Sequence, residues 1–213
     1  MTPSERPSGP KAEQTRRAIL DAAIERFGRE GYKRSSVAAI ARDADVSRSL
    51  AYAYFEDREA LFKAALDHDA AAVINEGVAD ISRSVGEARG ESWGADLFVT
   101  LLEALDRRPL ARRVLAGLEP DVTARVLELP ALDDLRLAVG ERLAEGQVAG
   151  KVRPDVDPVA LGRGVVNLWI GQLMAVIQFG ADALAKELVH SQALFEAALD
   201  PPAPATPSSS TES

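Results

Sequence analysis

Residues 35–62 read SSVAAIARDADVSRSLAYAYFEDREALF. Two short runs with helical spacing lie here, each preceded by a serine. Ser36 is placed to cap a helix carrying Val37, Ile40 and Ala41. Ser47 is placed to cap a second helix that ends near Phe55. A serine hydroxyl at that position accepts one of the otherwise unpaired amides of a first turn. Asp45 is expected to break the first helix, because Asp tolerates the left-handed turn better than most residues. Asp57 then caps a long helix, with Glu59 in its first turn, where the helix dipole favours an acid. The second short helix carries Tyr52, Tyr54 and Phe55. It is too small to bury three rings alone. Either its neighbours take them or something outside the protein does.

Helical periodicity continues in both directions, and strand alternation is almost missing. Upstream, Ile19, Leu20, Ala23, Ile24 and Phe27 recur at three and four residues, and Gly28 and Gly31 are expected to end that helix. Downstream, Leu61, Phe62, Ala65, Leu66, Val73 and Val78 stripe the long helix. Further helices are expected near 93–106, 108–118, 121–128 and 131–148, broken around Pro109, Pro120 and Pro130. The last two are expected at 158–179, opened by Asp157-Pro158, and at 182–199. The expected organisation is all-α: a disordered tail over 1–10, a three-helix head over 11–56, a helical body over 57–199, and a disordered tail over 200–213. Both tails hold too little apolar content to fold.

The chain has 213 residues and no cysteine, which excludes disulfides, thiolate metal sites and a cysteine nucleophile. The first ten residues lack the apolar centre of a secretory signal. No stretch is read as approaching the roughly 20 apolar residues of a membrane span, so a cytoplasmic protein without a membrane partner is expected. The net charge of −8 is unevenly spread. Residues 1–56 hold 10 Lys and Arg against 8 Asp and Glu, a balance of +2; the rest hold 15 against 25, a balance of −10. That polarity turns the N-terminal end toward a polyanion.

Three short helices, the second and third joined by a tight turn, fit a helix-turn-helix, whose second helix enters the DNA major groove. Arg48 can pair bidentately with guanine, Ser47 and Ser49 can bond bases or phosphates, and Leu50 can touch a thymine methyl. The phenols of Tyr52 and Tyr54 can pack on sugars and bond phosphates. Phe55 is expected to turn inward against Phe27 and Phe62. The stretch resembles the DNA-binding signature of tetracycline-repressor-like (TetR family) regulators, with I-A-x-x-A-G-V-S followed by L-Y-x-Y-F-x-x-K-E-x-L. RRAILDAAIERFGREGY, residues 16–32, resembles the first helix of that family, and the specific match covers about residues 14 to 66.

The resemblance implies a homodimeric, sequence-specific repressor on double-stranded DNA, released from a palindromic operator by a small ligand. It also implies that Ser36 meets a phosphate, Ser47, Arg48, Ser49 and Leu50 face the groove, and Tyr52 and Tyr54 contact phosphates. Arg58, in place of the usual lysine, would reach the backbone, and Arg16 and Arg17 would flank the DNA. Asp45 stands where the family has glycine, Ser49 and Leu50 where Gly and Thr are common, and Ala51 where a buried leucine is usual. Ala51 and the net acidity support a rival reading, a helical small-molecule sensor or protein-interaction module without useful DNA binding.

In the body, Trp93, Phe98, Trp169 and Phe179 either line a ligand cavity or form ordinary core. Asn167, Gln172 and Gln178 interrupt an apolar helix, and buried amides need partners: a ligand, a second subunit or water. A hydrophobic or flat aromatic effector is expected. Leu184, Leu188, Phe195 and Leu199 stripe the last helix and are expected to form a symmetric four-helix interface with a second copy. The long helix from Asp57 to about Ser82 is read as the only element shared by head and body. Asp67-His68-Asp69 invites a metal reading, but adjacent helical residues point in different directions. No catalytic triad order or phosphate loop stands out, so no cofactor, metal or enzymatic activity is expected.

Overall fold

A computed structural model describes residues 9–84 and 93–200. Among the described residues, ten α-helices run in order: α1 Pro10–Glu30, α2 Val37–Asp43, α3 Arg48–Tyr54, α4 Arg58–Ser84, α5 Trp93–Asp106, α6 Pro109–Leu115, α7 Pro120–Thr123, α8 Pro130–Val148, α9 Pro158–Phe179 and α10 Ala185–Leu199. A 3₁₀ turn, Ala124–Glu128, replaces the second half of the helix expected over 121–128, and another, Asp182–Leu184, precedes α10. No strand occurs among the described residues. Apart from Gly9, Pro10 and Asp200, the two expected tails lie outside them.

The local signals act as the sequence indicated. The Ser36 hydroxyl accepts from the Ala39 amide at 3.2 Å and the Ser47 hydroxyl from the Leu50 amide at 3.1 Å. The Asp57 carboxylate accepts from the Ala60 amide at 2.7 Å. Asp45 has φ 55, the one non-glycine residue with positive φ among those described. Arg26 on α1 grips Asp43 on α2 with two bonds of 2.6 and 3.2 Å and also reaches Glu30. The guanidinium holds the Asp43 carboxyl below the usual carboxylate range.

Gly28 departs from expectation. It sits inside α1, and Gly31 (φ 83) ends the helix. A Cβ on Gly28 would lie 2.6 Å from the Pro109 Cβ and 2.9 Å from its carbonyl carbon. Gly28 therefore marks where the start of α6 crosses α1.

Two apolar cores form. The head core holds Ile19, Leu20, Phe27, Ile40, Ala51, Phe55, Leu61 and Phe62, and Phe27 meets Phe62 edge to face at 4.9 Å. The body core holds residues of α4, α5, α8 and α9, among them Leu97, Leu101, Leu135, Val139, Val166 and Trp169. α4 contributes to both, as expected, but it is not the only shared element. α6 places Leu110 and Val114 in the head core and Ala111 and Leu115 in the body core. Asp69 on α4, 1% exposed, secures the start of α6: its Oδ2 accepts from the amides of Leu110 (3.0 Å) and Ala111 (2.9 Å). Its Oδ1 is buried without a hydrogen-bond partner, and burial pushes the carboxyl up.

Contrary to the sequence expectation, α9 is long and apolar enough to cross a membrane by length and composition. Gly162, Val165, Val166, Trp169, Leu173 and Val176 bury one of its faces in the body, the arrangement of a core helix.

Gly28→Ala should destabilise the fold by about 1–3 kcal/mol, despite alanine's better helix propensity, because the added methyl meets Pro109 and the α6 backbone; urea denaturation checks this. Asp69 has a folded-state pKa above its unfolded value, so its charge costs stability above that pKa. The cost disappears as pH falls toward the ordinary carboxylate range. Melting temperatures from pH 7 down to about 4 should therefore show wild type gaining stability relative to Asp69→Asn.

Candidate nucleic-acid interface

α3 is fixed to the head chiefly through Ala51, which is fully buried, and through Phe55 just beyond its end. The three rings separate accordingly. Phe55 is buried in the head core, Tyr54 is half-buried against it, and Tyr52 is exposed. Ser47, Arg48, Ser49 and Leu50 are all exposed on the first turn. The Arg48 guanidinium lies 5.5 Å over the Tyr52 ring, an i,i+4 cation–π contact that holds both side chains on the outer face. The Ser47 and Ser49 hydroxyls are 3.0 Å apart. Ser36, at the start of α2, is exposed as well.

The remaining expected contacts are placed differently from one another. Arg17 is exposed and pairs with Asp21 at 3.0 Å. Arg16 stacks its guanidinium 5.6 Å from the Phe55 ring and stands 4.0 Å from Glu13. Arg58 is turned inward. Its guanidinium lies 4.2 Å over the Tyr32 ring and donates to the Ser35 carbonyl at 3.3 Å, so here it braces the α1–α2 turn. Three exposed cations went unnoticed in the sequence: Lys33 and Arg34, beside the Ser36 cap, and Arg42 at the end of α2. None of the three pairs with an acid among the described residues. A Lys-Arg pair immediately before a helix cap is the signal that marks two of them.

A narrow cavity of about 60 Å³ lies between α4, α5, α6, α8 and α9 of the body. Its walls are aliphatic apart from Trp169, and they include Ala70 and Ile74 of α4, Ala111 and Leu115 of α6, and Leu135 of α8. Of the seven residues weighed for ligand contact, Trp169 alone lines it. Trp93 packs against Trp169 (6.2 Å) and Phe195 (6.4 Å), and Phe98 packs against the body core. Asn167 is exposed and accepts from Arg136 at 3.1 Å. Gln172 is half-buried outside the cavity wall, and Phe179 is exposed. Gln178 donates to the Leu115 carbonyl at 3.0 Å.

The stripe expected at a dimer interface largely faces inward. Phe195 lies against the two tryptophans, Leu199 is buried in the body core, and Leu184 and Leu188 are half-buried. The most exposed large apolar residues of α9 and α10 are instead Leu168, Phe179, Val189 and Leu194, each about two-thirds exposed. The Asp67-His68-Asp69 run also separates: Asp67 makes a bidentate pair with Arg125 on the 3₁₀ turn, and Asp69 binds α6. Burial, and then the charge of Arg17, pushes the pKa of His68 down. Among the described residues no group of three such side chains converges as metal ligands would.

Comparison with known proteins gives a consistent picture. Residues 19–65 match the family model described as bacterial regulatory proteins, tetR family. An HTH-type transcriptional repressor of Mycobacterium tuberculosis is 30% identical over 171 residues, 78% of this chain and 84% of that protein. The A-factor receptor protein of Streptomyces griseus is 28% identical over 76% of this chain, which spans only 54% of that receptor's length. Among solved structures, FadR of Thermus thermophilus, a TetR family repressor in complex with lauroyl-CoA, superposes with a TM-score of 0.64 and 26% identity. That match covers 90% of this chain and 100% of the other.

Proposed function

Because the chain belongs to the tetR family of bacterial regulatory proteins and is thereby a DNA-binding transcriptional regulator, we propose that it acts as a cytoplasmic homodimeric repressor, leaving a palindromic operator when a small hydrophobic molecule enters its body. The observation that carries the switch is the double burial of α6. Ala111 and Leu115 form cavity wall, while Leu110 and Val114, one residue earlier in each turn, are fully buried in the head. A cavity of about 60 Å³ is far below the roughly 300–1,000 Å³ of ligand pockets. An effector must therefore displace the walls, and two of those walls, α4 and α6, also belong to the head.

The chemistry of the lining sets the ligand class. No charged or amide side chain lines the cavity, which favours an alkyl or acyl chain over a sugar or phosphate. The similarity to a repressor solved with lauroyl-CoA supports the same class. On DNA, Arg48 serves as the reader of a base, with Ser47, Ser49 and Leu50 beside it, and Tyr52, Ser36, Lys33 and Arg34 serve the phosphates. Arg16, Arg17 and Tyr54 flank them. A head this small makes few base contacts, so two heads about 34–36 Å apart, or a multiple of that, are needed on one face of the duplex. The exposed residues Leu168, Val189 and Leu194 provide the surface to pair two bodies.

Selection of bound sequences from random duplexes should yield a palindrome. Arg48→Ala should relax one position of each half-site at a cost of about 1–3 kcal/mol. Tyr52→Phe should weaken all sites alike, and the log–log salt slope should approach −0.9 per phosphate neutralised. A wild-type protein without sequence preference at low salt would leave the rival sensor reading standing. Leu168→Glu combined with Val189→Glu should sediment as a folded monomer and lose operator binding; a variant that remains dimeric moves the interface off this face.

A further inference from the structure

A second tie joins head to body at the turn that ends α1. The Tyr32 amide donates to Glu119 Oε1 at 3.1 Å, and the same oxygen receives Arg113 Nε at 2.8 Å. The Glu119 side chain is 12% exposed and that of Arg113 22%. Arg113 lies on α6 between Ala111 and Leu115, the two residues of that helix in the cavity wall. Glu119 follows in the connection to α7. The ion pair presses directly on backbone: a Cβ on Gly31 would lie 2.5 Å from Arg113 Nη2 and 2.7 Å from Glu119 Oε1. Gly31 is therefore required twice, for its positive φ and for the room it leaves.

The turn held in this way leads into the DNA-facing helices. The Tyr32 ring carries the Arg58 guanidinium, Arg58 donates to the Ser35 carbonyl, and the Ser35 hydroxyl donates to the Gly31 carbonyl at 2.8 Å. The next residue, Ser36, caps α2. A charge-assisted bond to a mostly buried carboxylate is among the stronger polar contacts, and this one grips the head at the point from which α2 and α3 depart.

We propose that Glu119 is a positioning residue for DNA binding: its carboxylate sets the angle between head and body by holding the Gly31–Tyr32 turn to α6. This assignment rests on the repressor reading but acts separately from α4. When α6 moves, Arg113 moves with it, and the turn follows through the shared oxygen of Glu119.

The chain has no cysteine, so spin labels can be placed at Glu25→Cys on the head and Glu141→Cys on the body, both exposed. Labelled chains are diluted into unlabelled protein, and pulsed EPR reads the head–body distance. Glu119→Ala should broaden the distance distribution, speed Tyr32 amide exchange by about tenfold, and weaken binding to the selected operator by roughly three- to tenfold. The consensus and salt slope should not change, because Glu119 reaches no phosphate. Glu119→Gln keeps an oxygen for the Tyr32 amide and should retain the narrow distribution. Should Glu119→Ala not fold, Glu119→Gln with Arg113→Met removes the anchor on α6 without a stranded charge, and should broaden it. A lower melting temperature with a distribution as narrow as wild type would overturn the proposal and reduce the pair to a stabilising contact. Distances and amide exchange need no DNA, so a wild type that binds no duplex would overturn the repressor reading while the role of Glu119 is still decided.

Discussion

Leu110 and Val114 leave α6 on one side, and Ala111 and Leu115 on the other. The two cores of this protein are separate clusters, and this two-turn helix is common to both. Protein interiors are packed at crystal-like density, so a side chain displaced on one face of such a helix cannot be absorbed locally. The helix is also secured along its length. Pro109 crosses α1 at Gly28, Asp69 takes the first amides, and Arg113 and Glu119 hold the end of α1. The position of the head relative to the body follows from this helix as much as from α4.

The head is built so that its outer face carries little structural duty. α3 buries Ala51 and is continued by Phe55, and the remainder of its first turn is free of the core. Rigidity comes from elsewhere: the Arg26–Asp43 clamp between α1 and α2, the caps at Ser36 and Ser47, and the aromatic contacts of Phe27, Tyr32 and Phe62. A fixed frame with an unburdened recognition surface lets side chains such as Arg48 and Ser49 change specificity at small cost in stability. The rings in the SRSLAYAYF run divide along that line, Phe55 to the frame and Tyr52 to the surface.

The body shows the limits of reading apolar patterns. α10 carries apolar residues on more than one side. Leu184, Leu188, Phe195 and Leu199 form a regular stripe, yet Phe195 and Leu199 serve the chain's own core while Val189 and Leu194 stay outside. The amides of α9 behave similarly. Asn167 and Gln178 lie outside the cavity wall: one accepts from Arg136 and the other donates to the end of α6. The cavity itself is lined by leucines, valines and alanines that no composition rule separates from ordinary core.

The sequence by itself determined what is decided within about one helical turn: the caps at Ser36, Ser47, Asp57 and Asp157, the left-handed Asp45, the end of α1 at Gly31, and thereby the helix-turn-helix and most helix limits. These depend on hydrogen bonds and dihedrals among near neighbours, which residue type and spacing specify. Only the tertiary structure decided that Gly28 is a crossing point, that α6 is shared, that Arg58 turns inward, and which faces of α9 and α10 remain exposed. Each of those depends on a partner far away in the chain, as Glu119 is from Tyr32. When several faces of a helix are apolar, packing against the other helices chooses between them, and periodicity cannot.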